Sequence, residues 1–261
     1  MSIVGKVDSL WRYPVKSMRG EELEEAFAGY PGVYGDRIFA FKSSASPTGF
    51  PYFTAREQRK LLQYRPRFRF PDKAARPVNL TEADKIGAGP LSADISELIV
   101  DIETPEGKTF PIDDPALIDI LRNEVDEKHQ LTVMRSHRAM TDCRPVSIFS
   151  LQSARELSEE TETPIDKRRF RANVYLDLAS DNGFGENELV GRSVKFGPKV
   201  IVRVLERDPR CAIITLDPDT SERTPAVLKT VAQAHEGTAG VYGAVIVEGM
   251  LHKGDSVELL D

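Results

Sequence analysis

The sequence predicts a β-rich α+β protein, and three observations predict it. Short apolar runs of about four to eight residues, punctuated by Gly, Pro and Asp, dominate the chain. Helix signals are few and well separated. After the polar segment Pro71–Pro90 the strand pattern resumes, with a hairpin-like repeat around Glu106-Gly107. Two barrel-like or sandwich-like units are expected.

In chain order, strands are expected at Val4–Trp11, Arg37–Lys42, Arg67–Phe70, Leu98–Glu103, Leu131–Met134, Val146–Phe149 and Asn173–Asp177, then at Ser193–Phe196, Val200–Leu205, Ala212–Leu216, Val241–Val247 and Ser256–Leu259. Most are rich in β-branched or aromatic residues and are bounded by turn formers. Thr54-x-x-Glu57 has the capping-box pattern and predicts a helix to Gln63. Asp114 precedes Pro115 at a first helical position, and Leu117, Ile118 and Leu121 then fall on one face. Ser150 or Ser153 caps a helix to Thr161, and Thr224-Pro225 opens a fourth that ends before Gly237. Pro71–Pro90, rich in Pro, Ala, Asp and Gly, reads as an irregular excursion. The boundary is placed after the second helix, which divides the chain into 1–125 and 126–261.

Composition narrows the function classes. With 40% hydrophobic and 29% charged residues, 261 residues describe a soluble globular protein. Thirty-five basic and 41 acidic residues give a net charge of −6, the opposite of a nucleic-acid binder's footprint. Two cysteines cannot hold a four-thiolate iron–sulfur cluster, and their spacing suits neither a disulfide framework nor a zinc ribbon. His129, His137, His235 and His252 are scattered, with no metal-ligand or haem spacing. The N-terminus has no long apolar run, so neither a signal peptide nor a membrane span is expected there. A cytoplasmic location follows as the expectation.

Cys211 is the residue with the most chemistry. It stands in Arg207-Asp208-Pro209-Arg210-Cys211, ahead of a short apolar run and the turn Asp217-Pro218-Asp219-Thr220. Positive charge beside sulfur favours thiolate, which attacks carbon, exchanges with sulfur or ligates a soft metal. A buried structural thiol is the plain alternative. For Cys143 packing is expected, with a redox pairing to Cys211 as the other reading. In Arg169-Phe170-Arg171-Ala172-Asn173 a strand would place Arg169, Arg171 and Asn173 on one face.

The Cys211 segment resembles that of the MOSC superfamily, named for the C-terminal domain of molybdenum cofactor sulfurases. Tyr13-Pro14-Val15-Lys16-Ser17 is similar to a second family signature, and Gly35-Asp36-Arg37, Thr54-Ala55-Arg56 and Arg169–Asn173 follow in the family's order. The resemblance runs from about Val7 to Leu260 and implies a MOSC-type β-barrel preceded by a MOSC_N-like β-rich unit, with the first strand and the Lys16-Ser17 turn close to Cys211. It implies the molybdenum–molybdopterin cofactor, with Cys211 as the metal's protein ligand. Lys16, Ser17, Arg37, Arg56, Arg171, Asn173 and Arg210 would bind the cofactor, and Asp142 would assist catalysis. The free amides of a helix start at Thr54–Arg56 would add to an anion site. Ala172 stands where the family usually has proline. No iron–sulfur cluster, haem or pyridoxal phosphate is expected.

The activity implied is two-electron reduction of N-hydroxylated compounds to amines. A separate ferredoxin-, flavodoxin- or flavin-reductase-like protein would supply the electrons, and neither nucleic acid nor membrane is an expected partner. Two other readings stay open. One is a cofactor carrier or sulfur-transfer module without reductase activity; the other is a small-barrel nucleic-acid binder using Lys167–Arg171.

Overall fold

Alternation of buried and outward-facing residues builds the larger unit, as in Val200, Val202 and Val204, whose side chains are buried at every second position of one strand. The structure, a computed structural model, describes residues 2–91, 94, 96–123, 125 and 128–260. The expected boundary at 125/126 falls beside residues 124, 126 and 127, which lie outside the described residues.

The strands are β1 (Ser2–Arg12), β2 (Glu21–Leu23), β3 (Glu25–Gly29), β4 (Gly32–Val33), β5 (Phe39–Ser43), β6 (Tyr52–Phe53), β7 (Arg65–Phe68), β8 (Val100–Glu103) and β9 (Thr109–Pro111). There follow β10 (Leu131–Arg135), β11 (Val146–Ser150), β12 (Val174–Leu178), β13 (Ser193–Phe196), β14 (Val200–Pro209), β15 (Thr238–Val247), β16 (Gly249–His252) and β17 (Ser256–Leu259). The helices are α1 (Pro71–Ala75), α2 (Leu80–Ile86), α3 (Pro115–Asn123), α4 (Leu151–Glu160) and α5 (Pro225–Ala234).

Seven strands close into a barrel in the order β12, β11, β15, β14, β13, β17, β1, with β1 returning to pair with β12. All neighbours are antiparallel except β11 and β12. That parallel pair needs a crossover, which α4 supplies. Valines and other apolar side chains from every barrel strand fill the interior, among them Val7, Val146, Leu176, Val194, Val202, Val241 and Val257. β1 is therefore a barrel strand, although nearly all its partners lie more than 170 residues downstream or close to it.

Three small sheets, β10-β5-β6, β16-β3-β4 and β7-β8-β9, combine the N-terminal strands β3 to β9 with β10 and β16. A second core, built on Phe39, Phe41, Phe53, Leu61, Ile102, Leu117 and Leu121, joins the first and third of these, whereas β3, β4 and β16 pack through Ala26, Ala28, Val33 and Leu251 onto the barrel core. In α3 the face expected from the sequence is the buried one, through Leu117 and Leu121.

Several local expectations are corrected. Ala212–Leu216 is not a strand: Ala212–Thr215 forms a 3-10 turn, because Pro209 ends β14 and the chain must bend at Cys211. The Thr54 capping box forms, with Glu57 Oε2 accepting from Thr54 N and Thr54 Oγ1 at 2.8 Å each, yet only a 3-10 turn at Arg59–Gln63 follows it. Lys167–Phe170 is likewise a 3-10 turn and Arg171 is left-handed (φ +51°), so the expected two-residue alternation to Asn173 does not exist. Pro71–Pro90 contains α1 and α2 rather than irregular chain alone. The two-residue strands β4 and β6 are too short for periodicity to reveal.

Candidate functional site

A cleft of about 620 Å³, counting its open mouth, gathers residues from across the chain. Eight of the nine candidate residues line it: Lys16, Ser17, Arg37, Arg56, Asp142, Arg171, Arg210 and Cys211. The ninth, Asn173, is buried behind the wall. Its Oδ1 accepts from Ser147 N and Oγ at 3.2 Å, and its Nδ2 donates to Trp11 O, so it ties β1 to β11. Only Ser147 of that knot reaches the cleft.

Lys16 and Ser17 leave β1 in a turn fixed by Val15 bridging Phe39 and by Lys16 N donating to Phe39 O at 2.8 Å. Lys16 Nζ donates to Met140 O at 2.8 Å and meets Asp142 Oδ1 at 2.5 Å. Burial pushes the Lys16 ammonium down, and Arg37 and Arg171 push it further, against the pull of Asp142. For Asp142 burial acts upward, but Lys16, Arg37 and Arg56 outweigh it and hold the carboxyl below its ordinary value.

Arg37 pairs with the buried Asp36 at 2.5 Å and donates to Arg171 O at 2.8 Å. Burial would lower it, but Asp36 and Tyr13 prevail and keep it firmly charged. The Tyr13 ring lies between two guanidinium groups, with Arg37 at 4.6 Å and Arg171 at 4.3 Å from its centroid. Arg171 is brought down to about 10, chiefly by burial. Its Nη2 is buried with no hydrogen-bond partner among the described residues.

Arg56 comes from the capping-box turn, whose Thr54 Oγ1 accepts from Arg56 N. The helix-start amides expected there are therefore absent or engaged, and Arg56 contributes its side chain. Its interaction with the Cys211 side chain is the largest of the effects that raise it.

Arg210 gives Nε to Ala239 O at 2.6 Å and Nη1 to Phe170 O at 3.0 Å. Its Nη2 stands 2.7 Å from Asp208 Oδ2, close enough for an ion pair. The contact is out of line for a hydrogen bond, so Nη2 and both Asp208 oxygens lack a directed partner. Gly240 (φ +82°) makes room for this, since a Cβ there would lie 2.8 Å from Ile148 O and 3.0 Å from Arg210 Nη2. Asp208 is pushed up to about 6, first by burial.

Cys211 is half-exposed at the entry to its 3-10 turn. Cys143 is exposed, which corrects the packing expected for it; burial and then Asp142 push its thiol up. The basic run is largely consumed by pairs: Lys167 with Asp8, Arg168 with Asp166 and Asp219, and buried Arg169 with Thr215 O and Asp217. Arg169 is thus a buried, paired side chain.

Three cleft residues, Ser17, Arg37 and Arg171, hold left-handed backbone without being glycine, at φ +65°, +47° and +51°. Such conformations cost about 1–3 kcal/mol each and cluster at functional sites. Sequence reading also missed Asp208, Tyr242, Ser147 and Phe50 on the cleft wall. Asp208 stands beside the cysteine motif and offers that much signal; the others offer none.

The MOSC N-terminal beta barrel domain matches residues 4–69, and the MOSC domain matches residues 135–258. The chain belongs to the MOSC-domain family. MOSC domains are found in molybdenum-cofactor-binding proteins. Cys211, Arg171 and Arg210 lie inside the MOSC domain, and Lys16, Ser17, Arg37 and Arg56 inside the N-terminal match, so the cleft draws on both. Among solved structures, YuaD from Bacillus subtilis is similar at 14% identity and TM-score 0.49, over 98% of this chain and 96% of that one. YiiM from Geobacillus stearothermophilus is similar at 19% identity and TM-score 0.36, over 45% of this chain and 55% of its own. YiiM from Escherichia coli is similar at 20% identity and TM-score 0.32, again over 45% and 55%. Among curated proteins nothing matches. Among the described residues no helix is long and apolar enough to cross a membrane.

Proposed function

We propose that this MOSC protein binds the molybdenum cofactor in the Cys211 cleft and reduces N-hydroxylated compounds to amines with electrons from a separate protein. The observation that supports it is the convergence on one cleft of a half-exposed thiol with five cationic side chains and only two carboxylates. That excess suits an anionic ligand, and a thiolate is the donor a soft metal prefers. The cleft also fits a polar group, since among the described residues Arg171 Nη2 is a buried donor with no hydrogen-bond partner and Arg210 Nη2 meets only the out-of-line Asp208 carboxylate. An unmet buried donor is costly, which favours a ligand that supplies acceptors.

Cys211 would hold the metal. Lys16, Ser17, Arg37 and Arg56 would bind the phosphate end, and Arg171 and Arg210 would orient the ligand. When bound, the cofactor supplies the two-electron redox chemistry. The chain's own part is electrostatic and protonic. The Lys16–Asp142 pair holds a proton at Nζ beside the cleft, and Phe50, Phe170 and Ile213 exclude water from its wall. Asn173 acts only through Ser147, as a positioning residue.

The test is molybdenum by elemental analysis, with oxidised-pterin fluorescence, on protein from a cofactor-competent host beside Cys211→Ala. Near-stoichiometric molybdenum in the wild type, its loss in the variant, and turnover of an amidoxime with an artificial reductant are the expected results. Cofactor without turnover would replace the reductase by a carrier; neither metal nor pterin would end both readings.

A further inference from the structure

Away from the cleft, the last turn of α4 meets the end of α5. Glu156 and Glu160 lie four residues apart on α4, hence on one face, and His235 caps the C-terminus of α5. One ligand atom from each lies within 4.8 Å of the other two. His235 Nε2 is 2.8 and 3.0 Å from the Glu160 oxygens. Glu156 makes no hydrogen bond or ion pair with any other described residue, although it is half-buried.

The electrostatics leave this corner short of positive charge. A helix C-terminus carries partial negative charge and favours cations. Two such ends meet here, and neither α4 nor α5 has a basic residue in its last turn. Two carboxylates and two helix ends thus face one imidazole.

Two of the three side chains are held in place, while Glu160 is exposed. The Phe184 ring stacks on His235 at 3.7 Å between centroids, and Phe184 N donates to Ser153 Oγ at 2.8 Å. The neighbouring Gly183 presses on Glu156 so closely that a Cβ there would fall 1.6 Å from Oε2. The 183–184 turn therefore backs the imidazole and one carboxylate at once.

We propose that Glu156, Glu160 and His235 bind a divalent transition-metal ion of zinc-like preference, which clamps α4 to α5. One imidazole and two carboxylates form a borderline donor set, with water left to complete a tetrahedron. Ligand atoms around tetrahedral zinc lie roughly 3.3 Å apart, so side-chain rotation alone closes the set. Scattered histidines hide such a site from sequence, because its ligands sit on two helices separated by some seventy residues.

The experiment is calorimetric titration of the chelator-treated full-length protein with zinc chloride, paired with thermal unfolding. One equivalent should bind and raise the melting temperature by several degrees. Glu156→Gln, Glu160→Gln and His235→Gln should each weaken binding at least tenfold, while Cys143→Ser leaves it unchanged. The conservative Gln variants should melt like the wild type without metal, which separates lost binding from lost folding. No binding by the wild type, binding that survives Glu156→Gln and His235→Gln, or binding abolished by Cys143→Ser would each overturn the site. The last of these would mark an adventitious thiolate contact.

Discussion

The barrel wall and the cleft rim follow opposite rules. Along β14, Val200, Val202 and Val204 are buried in regular extended chain, each burial worth about 1.5–3 kcal/mol. On the rim, Ser17, Arg37 and Arg171 take left-handed backbone, and Arg171, Arg210 and Asp208 carry buried polar atoms without directed partners. The same strand runs from one regime into the other. Its pairing with β15 shifts register at Val204/Glu206 and again at Arg207/Pro209, and those bulges deliver Asp208, Arg210 and Cys211 to the cleft. The wall supplies stability that the rim gives up in order to present its groups.

Removing a large wall residue should have the greatest effect. Phe196→Ala, at a fully buried barrel position, should cost about 3–5 kcal/mol in urea unfolding, with the cleft residues untouched. A cost below about 1 kcal/mol would mean that the barrel interior does not carry the fold.

Asp208→Asn tests the rim by its pH dependence. A carboxyl with a folded value near 6, above the ordinary 3.8, binds its proton more tightly in the native state. The stability it lends is complete below about pH 4 and is lost as pH rises through 6. Between pH 4 and pH 7 the stability difference should therefore shift toward the variant, by up to about 3 kcal/mol. A constant difference would show that Asp208 ionises normally.

The smallest expected effect sharpens the contrast. Ser17→Gly relieves a left-handed residue, but the extra freedom of an unfolded glycine offsets part of that relief, so the gain should be about 1 kcal/mol, with a lowered content of the cofactor that the proposed function requires. Lost stability together with full cofactor content would reverse the roles assigned to rim and wall.

Legibility in the sequence divides along the same line. The strand Ser193–Phe196 was readable to the residue, and α3, α4 and α5 announced themselves through Pro115, Ser150 and Pro225. Eight of the candidate residues lay in short motifs that the fold brings into one cleft. Asn173 did not join them, because the 3-10 turn at Lys167–Phe170 rotates Arg171 away from it. Neither the left-handed backbone of Ser17 nor the buried pairing of Asp208 with Arg210 could be read in advance. Both arise from contacts between distant segments, such as Val15 with Phe39 and Asp208 with Arg210 beside Gly240.

β1 is hydrogen-bonded to β12 on one side and β17 on the other, so the earliest strand fills the last gap in the ring. A ribosome emitting this chain releases that stave before either partner, and the ring cannot close on it until residues near 259 emerge. Without that stave the six others form an open trough with two raw edges, each a template for a neighbouring molecule. A fragment starting at residue 135, where the MOSC match begins, would stay in that state permanently. Supplied separately, a Ser2–Arg12 peptide would be its natural plug.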